Sequence, residues 1–242
     1  MLKTVNLAYR ESTAADYVPS VITVRTNAAK LARYRLMHET VELQPKPFYD
    51  TCKRIGDVIC SAAALVLLSP VLLGVAAAVM MNDFGSPIYS QMRIGKDGKA
   101  FRIYKFRSMY KDADERKAAL MAENQSQGAN FKIEHDPRIT KVGAFIRRTS
   151  LDELPQLVNI LKGDMSIIGP RPFIKDEQDE LPDDRLLVKP GLSCYWQIGG
   201  GNKLSAYEQI KLDRKYIKER SLRTDLKIIA KTLLHVLGGK NC

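Results

Sequence analysis

Val58 to Met81 is an uncharged, almost wholly apolar run of 24 residues, and no other segment limits so severely what the chain can fold into. A helix crossing a bilayer needs roughly 20 such residues. The run begins too far from Met1 to be a cleavable leader, and no processing site of the usual form follows it. Ser69-Pro70 falls at its midpoint. Proline has no N–H to donate, and its ring clashes with the carbonyl of Val66. In apolar surroundings that carbonyl needs another donor, and the Ser69 hydroxyl is the nearest. The run therefore divides into two halves, each too short to cross a bilayer as a straight helix. Cations flank it evenly, with Lys46, Lys53 and Arg54 before it and Arg93, Lys96 and Lys99 after. The positive-inside rule then assigns no orientation to a single span. A kinked span, a re-entrant hairpin with both ends on one side, and a buried core helix are the three structures this run allows. The hairpin removes the charge conflict.

Beyond this run, 45% apolar and 27% charged residues over 242 positions describe a chain that can bury a core, not a disordered one. The net charge of +11 favours partners that carry phosphate: nucleic acid, anionic lipid headgroups or phosphorylated substrates. Aromatic residues are only 7% and no nucleic-acid-binding motif is present, which disfavours nucleic acid. The lack of a GxxxxGK[ST] loop disfavours a nucleotide triphosphatase. Cys52, Cys60, Cys194 and Cys242 lack paired spacing, and His38, His135 and His235 lie far apart. They read as reduced thiols and isolated imidazoles, not as a zinc site or disulfide framework.

Three segments are expected: a poorly ordered extension over 1–47, a membrane helix over 48–83 with Lys53-Arg54 at headgroup depth, and a catalytic domain over 84–242. Ile88 to Ile94 and Ala100 to Phe106 alternate like strands, joined by a turn at Gly95-Lys-Asp-Gly-Lys99. Lys111 to Glu123 is rich in helix formers with opposite charges three and four apart. Gln125 to Asp136 reads as a loop. Helices are expected from about Thr140 to Arg148 and from Leu151 to Leu161, the second with Ser150 as N-cap and Glu153 completing a capping box. Leu222, Leu226, Ile229, Leu233 and Val236 recur at helical spacing, opposite Arg223, Lys227, Lys231 and His235. That amphipathic helix packs on the domain or lies in a membrane interface.

The densest chemistry is in Arg147-Arg148-Thr-Ser-Leu-Asp152-Glu153-Leu-Pro-Gln156, followed by Gly163-Asp-Met-Ser-Ile-Ile-Gly-Pro170-Arg171-Pro172. Adjacent carboxylates between arginines can hold a divalent cation against a phosphate, and an aspartate attacking phosphorus is an established covalent route. Taken locally, Asp152 and Glu153 also read as a helix cap and an ion pair, the simpler account of the two residues alone. Pro170 and Pro172 stiffen the backbone around Arg171, a setting suited to bidentate phosphate binding. Lys105 and Arg107 alternate with Tyr104 and Phe106 and are further candidates for substrate binding.

In order, these pieces resemble the bacterial monotopic polyprenyl-phosphate phosphoglycosyl transferases, the initiating sugar transferases of exopolysaccharide and O-antigen assembly. The resemblance is carried by Lys53-Arg54-x-x-Asp57, Leu-Ser69-Pro70, Gln91-x-Arg93-x-Gly95-Lys-Asp-Gly98 and Lys105-Phe-Arg107-Ser-Met109. It continues through Asp136-Pro-Arg138-Ile-Thr140-x-x-Gly143, Ser150-Leu-Asp-Glu-Leu-Pro-Gln156, Gly163 to Pro172 and Lys189-Pro-Gly191. It implies an α/β, mostly helical catalytic domain, a re-entrant membrane helix broken at Ser69 and Pro70, and amphipathic interface helices. It further implies transfer of a hexose phosphate from a UDP-sugar to polyprenyl phosphate at the cytoplasmic face of the inner membrane. On that analogy Asp152 attacks the β-phosphorus, and Asp152 with Glu153 holds Mg²⁺. Arg147 contacts phosphate, and Arg171 between its prolines faces the nucleotide. Anionic headgroups are expected neighbours, and a homo-oligomer is compatible with the arrangement.

Two segments depart from the family pattern: Ser193-Cys194-Tyr195-Trp196, and Trp196-Gln197-Ile-Gly-Gly-Gly201-Asn202, which lacks the usual Gly-Arg pair. Both fall where sugar or nucleotide recognition is expected. The sequence resembles the short form of the family, with galactose or glucose phosphate as the expected cargo. The competing reading is a non-enzymatic, membrane-anchored basic protein that binds anionic lipid or nucleic acid; it leaves Asp152-Glu153 unexplained.

Overall fold

The computed structural model describes residues 41–117, 119–120, 133, 136–199 and 204–238. Two helices carry the apolar run, α1 (Pro47–Leu67) and α2 (Ser69–Asn82), and they meet at 63°. The break has the expected chemistry: Ser69 Oγ donates to the Val66 carbonyl at 2.7 Å, replacing the N–H that Pro70 lacks. Among the described residues no single helix is long and apolar enough to cross a membrane, whereas this bent pair passes by length and composition together.

A hairpin follows, β1 (Ile88–Ile94) antiparallel to β2 (Ala100–Phe106), in a register that sets Tyr89 opposite Lys105 and Arg93 opposite Phe101. Its turn passes through Asp97 and Gly98, both with positive φ. The helix expected from Lys111 is α3 (Ala113–Lys117). The rest of that stretch and the expected loop to Asp136 lie outside the described residues, apart from 119–120, 133 and 136. Next come α4 (Lys141–Arg148), α5 (Gln156–Lys162), β3 (Ser166–Ile168), α6 (Lys175–Asp179), β4 (Gly191–Ser193), α7 (Tyr195–Gly199), α8 (Ala206–Glu219) and α9 (Leu222–Leu237). β3 and β4 pair in parallel. The described fold is thus mostly helical, with two small two-stranded sheets.

Of three apolar clusters, two tie the bent pair to the domain. Phe101, Ile103, Leu157, Ile160 and Met165 form one against Ala64 and Leu65 of α1. Val75 and Val79 of α2 pack with Phe106 and Ile146 in another. Val41, Ile168, Val188, Tyr216, Ile217 and Ile228 make the third, so Val41, in the described end of the N-terminal extension, lies in the core.

Polar ties correct one expectation and decide another. Lys53 and Arg54 do not reach outward as headgroup cations. Lys53 pairs with Asp225 at 2.8 Å. Arg54 donates to the carbonyls of Ile160 and Leu161 at 2.6 and 2.8 Å, supplying partners that the last turn of α5 lacks. Asp57, also of α1, accepts from the Ile167 N–H at 3.0 Å. The fold also decides between the two readings left open for α9, and its leucine stripe does not pack on the domain. Its buried side carries Asp225 and Ile228, while Leu222, Leu226 and Leu233 of the apolar stripe are exposed. The rotation is set by Asp225, which also accepts from the hydroxyls of Tyr49 and Tyr216. A buried carboxylate that needs three donors outweighs the area of a few leucines.

Candidate functional site

Asp152 and Glu153 occupy a 3-10 turn, Leu151–Glu153, ahead of α5, not the first turn of one long helix. The capping box expected from Ser150 is absent. Ser150 has φ 56°, in the left-handed region, and its side chain caps nothing. The reason lies in what Glu153 does instead: its Oε1 takes Lys105 Nζ at 2.7 Å and Arg171 Nη1 at 3.6 Å. Pro155 then holds the helix start one turn later. The unfavourable φ at Ser150 delivers both carboxylates to one cavity of about 950 Å³.

Of the residues singled out in the sequence, Asp152, Glu153, Lys105, Arg107, Arg147 and Arg171 all line this cavity. Pro170 and Pro172 are not among its lining residues; they border a much smaller cavity behind the loop. Arg107 is occupied, since its guanidinium donates to the Asp83 carbonyl and lies 3.7 Å from the Asp83 carboxylate, tying the end of α2 to the end of β2. Ser69 and Pro70 remain at the helix break, on the far side of Leu68, which does border the cavity.

The two carboxylates differ sharply. Asp152 is buried, and among the described residues neither oxygen has a hydrogen-bond or ion-pair partner. Burial, followed by the negative charge of Glu153, pushes its carboxyl up to about 6 against the pull of Lys105, Arg147 and Arg171. Glu153 is also raised by burial, but Lys105 and Arg171 outweigh that and hold it well below the usual range. At neutral pH Glu153 is thus a neutralised anchor, while Asp152 is a desolvated anion with no direct counter-ion. That second condition is what a reactive carboxylate requires. Arg147 stands exposed on the wall, its Nε on Ser108 Oγ at 2.9 Å and no carboxylate paired with it among the described residues. It is the cation most available to an incoming anion.

The surrounding shell holds residues to which sequence reasoning gave no role in the site, although Gln91, Arg93, Ser108 and Gly143 stand in the motifs that carry the resemblance. Asn159, fully buried, accepts from the Tyr104 N–H at 3.0 Å and donates to the Arg102 carbonyl at 2.7 Å, which locks α5 onto β2 beside Lys105. Ser108 supports Arg147, and Gly143 lets α4 approach it: a Cβ there would lie 1.8 Å from the Ser108 carbonyl oxygen. Arg93, paired with Glu177 at 3.3 Å, and Gln91 line the cavity from β1. A signal for these two was present. Opposed residues of an antiparallel pair share a face, so the expected turn at Gly95–Lys99 already placed Tyr89, Gln91 and Arg93 on the face of Lys105.

An open, cation-rimmed cavity around one buried carboxylate suits an anionic ligand. The chain belongs to the bacterial sugar transferase family, whose model matches residues 48–239. It is 47% identical over 189 residues to the galactosyl transferase CpsE of Streptococcus agalactiae, covering 76% of this chain and 40% of that one. It is 43% identical over 192 residues to the undecaprenyl-phosphate galactose phosphotransferase of Salmonella typhimurium, with the same coverages. Against the exopolysaccharide production protein ExoY of Rhizobium meliloti identity is 41% over 196 residues, 78% of this chain and 86% of that one. The chain thus spans about 40% of the length of the first two relatives.

Proposed function

We propose that this chain transfers a hexose phosphate from a UDP-sugar to polyprenyl phosphate through a phosphosugar held covalently on Asp152. The observation that carries the reading is the unpaired, buried Asp152 between Arg147, Lys105 and Arg171. An Asp152 oxygen attacks the β-phosphorus, the bond from that phosphorus to the bridging oxygen breaks, and UMP leaves with the electron pair. An oxygen of the lipid phosphate then attacks the same phosphorus, the Asp152–phosphorus bond breaks, and the carboxylate is restored. Arg147 is free to meet the phosphate that becomes UMP, and Arg171 and Lys105 keep Glu153 from repelling the donor. Charge is redistributed among fixed cations, with little reorganisation during the step.

The donor set also suits Mg²⁺. Among the described residues Asp152 has no ion-pair partner, though Lys105, Arg147 and Arg171 lie near it, and one or two carboxylates completed by substrate phosphate oxygens is the sparse set this ion accepts. Asp152 and Glu153 are the residues that would hold it. Bound there, the ion supplies neutralisation of the diphosphate and a better leaving group.

A membrane setting fits the exposed apolar surface. Phe48, Val66, Leu67, Leu73, Met81 and Phe84 on and beside the bent pair are each at least 72% exposed. Leu226 and Leu234 of α9 are 66% and 71% exposed. A re-entrant pair lying in the cytoplasmic leaflet buries this surface in lipid and keeps the cavity open to a soluble donor and a membrane-bound acceptor. Exopolysaccharide synthesis at the inner membrane is the matching role.

The test is a panel of UDP-sugars with purified protein, Mg²⁺ and polyprenyl phosphate, read as UMP release. One hexose donor is expected to give lipid-dependent release, and silence across the panel would refute the reading. The same assay probes the carboxylate pair. UMP release is expected to rise with pH as Asp152 ionises, with a midpoint no higher than about 6, because a bound cation favours the carboxylate. Glu153→Gln removes the like charge and leaves Lys105 facing Asp152, so the midpoint should move to lower pH. A midpoint that stays in place or moves up would show that Glu153 does not tune Asp152.

A further inference from the structure

We propose that Arg185 is a positioning residue for Arg171, acting from behind the Pro170-Arg171-Pro172 turn through a buried pair with Asp213. Arg171 touches Glu153 from one side and lies 5.8 Å over the Trp196 ring on the other. Its direction depends on its backbone, and that backbone is hard to secure because Pro170 and Pro172 donate no hydrogen bonds. Three carbonyls hold the stretch. Pro170 O accepts from the Gly191 N–H at 2.9 Å and Phe173 O from the Ile94 N–H at 2.8 Å. The carbonyl between them, that of Arg171 itself, is bonded by the Arg185 side chain, Nη2 at 2.8 Å.

Arg185 is built to stay where it is. It lies in the 3-10 turn Asp183–Leu187, is 5% exposed, pairs with Asp213 of α8 at 2.9 Å and lies 4.2 Å over the Phe173 ring. The neighbouring pair runs the other way: Arg214 of α8 binds Asp184. Two adjacent residues of the turn thus exchange charges with two adjacent residues of the helix, and neither can slide without breaking both. A planar guanidinium can pair with a carboxylate, stack on a ring and donate to a carbonyl together; an ammonium cannot. The chain from Asp213 through Arg185 and the Arg171 carbonyl ends at a guanidinium that steadies Glu153. None of Asp213, Asp184 or Arg214 lines the large cavity, and the hydrogen bond from Arg185 to the Arg171 carbonyl is a direct route from them to the site.

The kinetic arm of the test rests on the proposed transfer reaction; the optical arm does not. Trp196 is the chain's one tryptophan, and a cation over its ring shifts its emission. Emission, thermal stability, kcat and KM would be measured for Arg185→Lys, Arg171→Ala and the double variant. Arg185→Lys is expected to shift emission in the same sense as Arg171→Ala and to lower kcat by roughly 10- to 100-fold, the scale of a 1 Å misplacement. Added to Arg171→Ala, it should change neither emission nor kcat further. If Arg185→Lys does not fold, Asp213→Asn replaces it with the same expectations. The proposal is overturned if the variant loses thermal stability while emission and kcat stay as in the wild type, or if the two kcat losses multiply. Emission coupling in a protein that releases no UMP would support the positioning role and count against the transfer reading. UMP release without emission coupling would do the reverse.

Discussion

Asp152→Asn is expected to abolish lipid-dependent UMP release, by roughly 10,000-fold or more, the scale at which removing a covalent nucleophile leaves only binding and charge effects. Asparagine keeps the shape of the side chain, so the 3-10 turn, the Lys105–Glu153 pair at 2.7 Å and the cavity should survive. Stability should not suffer, because a buried carboxylate held up near 6 costs free energy when ionised at neutral pH, and a neutral amide avoids that cost. The variant should therefore melt no lower than the wild type while losing turnover, a combination that a folding defect cannot produce. A second readout is mass: incubation with donor alone should add one phosphosugar to the wild type and none to Asp152→Asn. Wild-type turnover in the variant would refute Asp152 as the nucleophile.

How much of this was legible in the sequence depended on the range of the interactions. The hairpin strands, the helix after Thr140 and the Ser69 bond to Val66 were readable because each is settled within a few residues by side-chain alternation, a cap or a missing N–H. The dyad's setting was not. Ser150 has the type and spacing of an N-cap, yet Glu153 is drawn away by Lys105, 48 positions earlier, and by Arg171, which follows it on another loop. The same holds for Arg54, whose partners are carbonyls over 100 positions away, and for the rotation of α9, fixed by Asp225 meeting Lys53 and Tyr49. Polar groups with one strong distant partner defeat periodicity, and they cluster where the site is assembled. The resemblance located the dyad; only the fold shows why one carboxylate is neutralised and the other is not.

Straightening the helix break should impair the protein by another route. In Ser69→Ala/Pro70→Ala the N–H at position 70 can bond the Val66 carbonyl, and the penalty of about 3 kcal/mol for an interior proline disappears. The 24-residue apolar run then favours one straight helix of roughly 36 Å, long enough to cross a hydrocarbon core of about 30 Å. Both halves cannot remain docked on such a helix. α1 is held by Arg54 on α5 and Asp57 on β3, whereas α2 is held by Val75 and Val79 against Phe106 and Ile146. The polar ties of α1 are the more costly to break in apolar surroundings, so α2 should leave. Ile146 immediately precedes Arg147, and losing the packing beneath it by about 1 Å is enough for a roughly 100-fold fall in turnover. Topology can be read directly, with single cysteines at Gln44 and Lys96 in a background lacking the four native ones. In the wild type both should label from the same face of sealed vesicles, and in the double variant a fraction should label from opposite faces. Opposite labelling in the wild type would refute the re-entrant arrangement, and unchanged turnover in the double variant would show that the bend does not support Arg147.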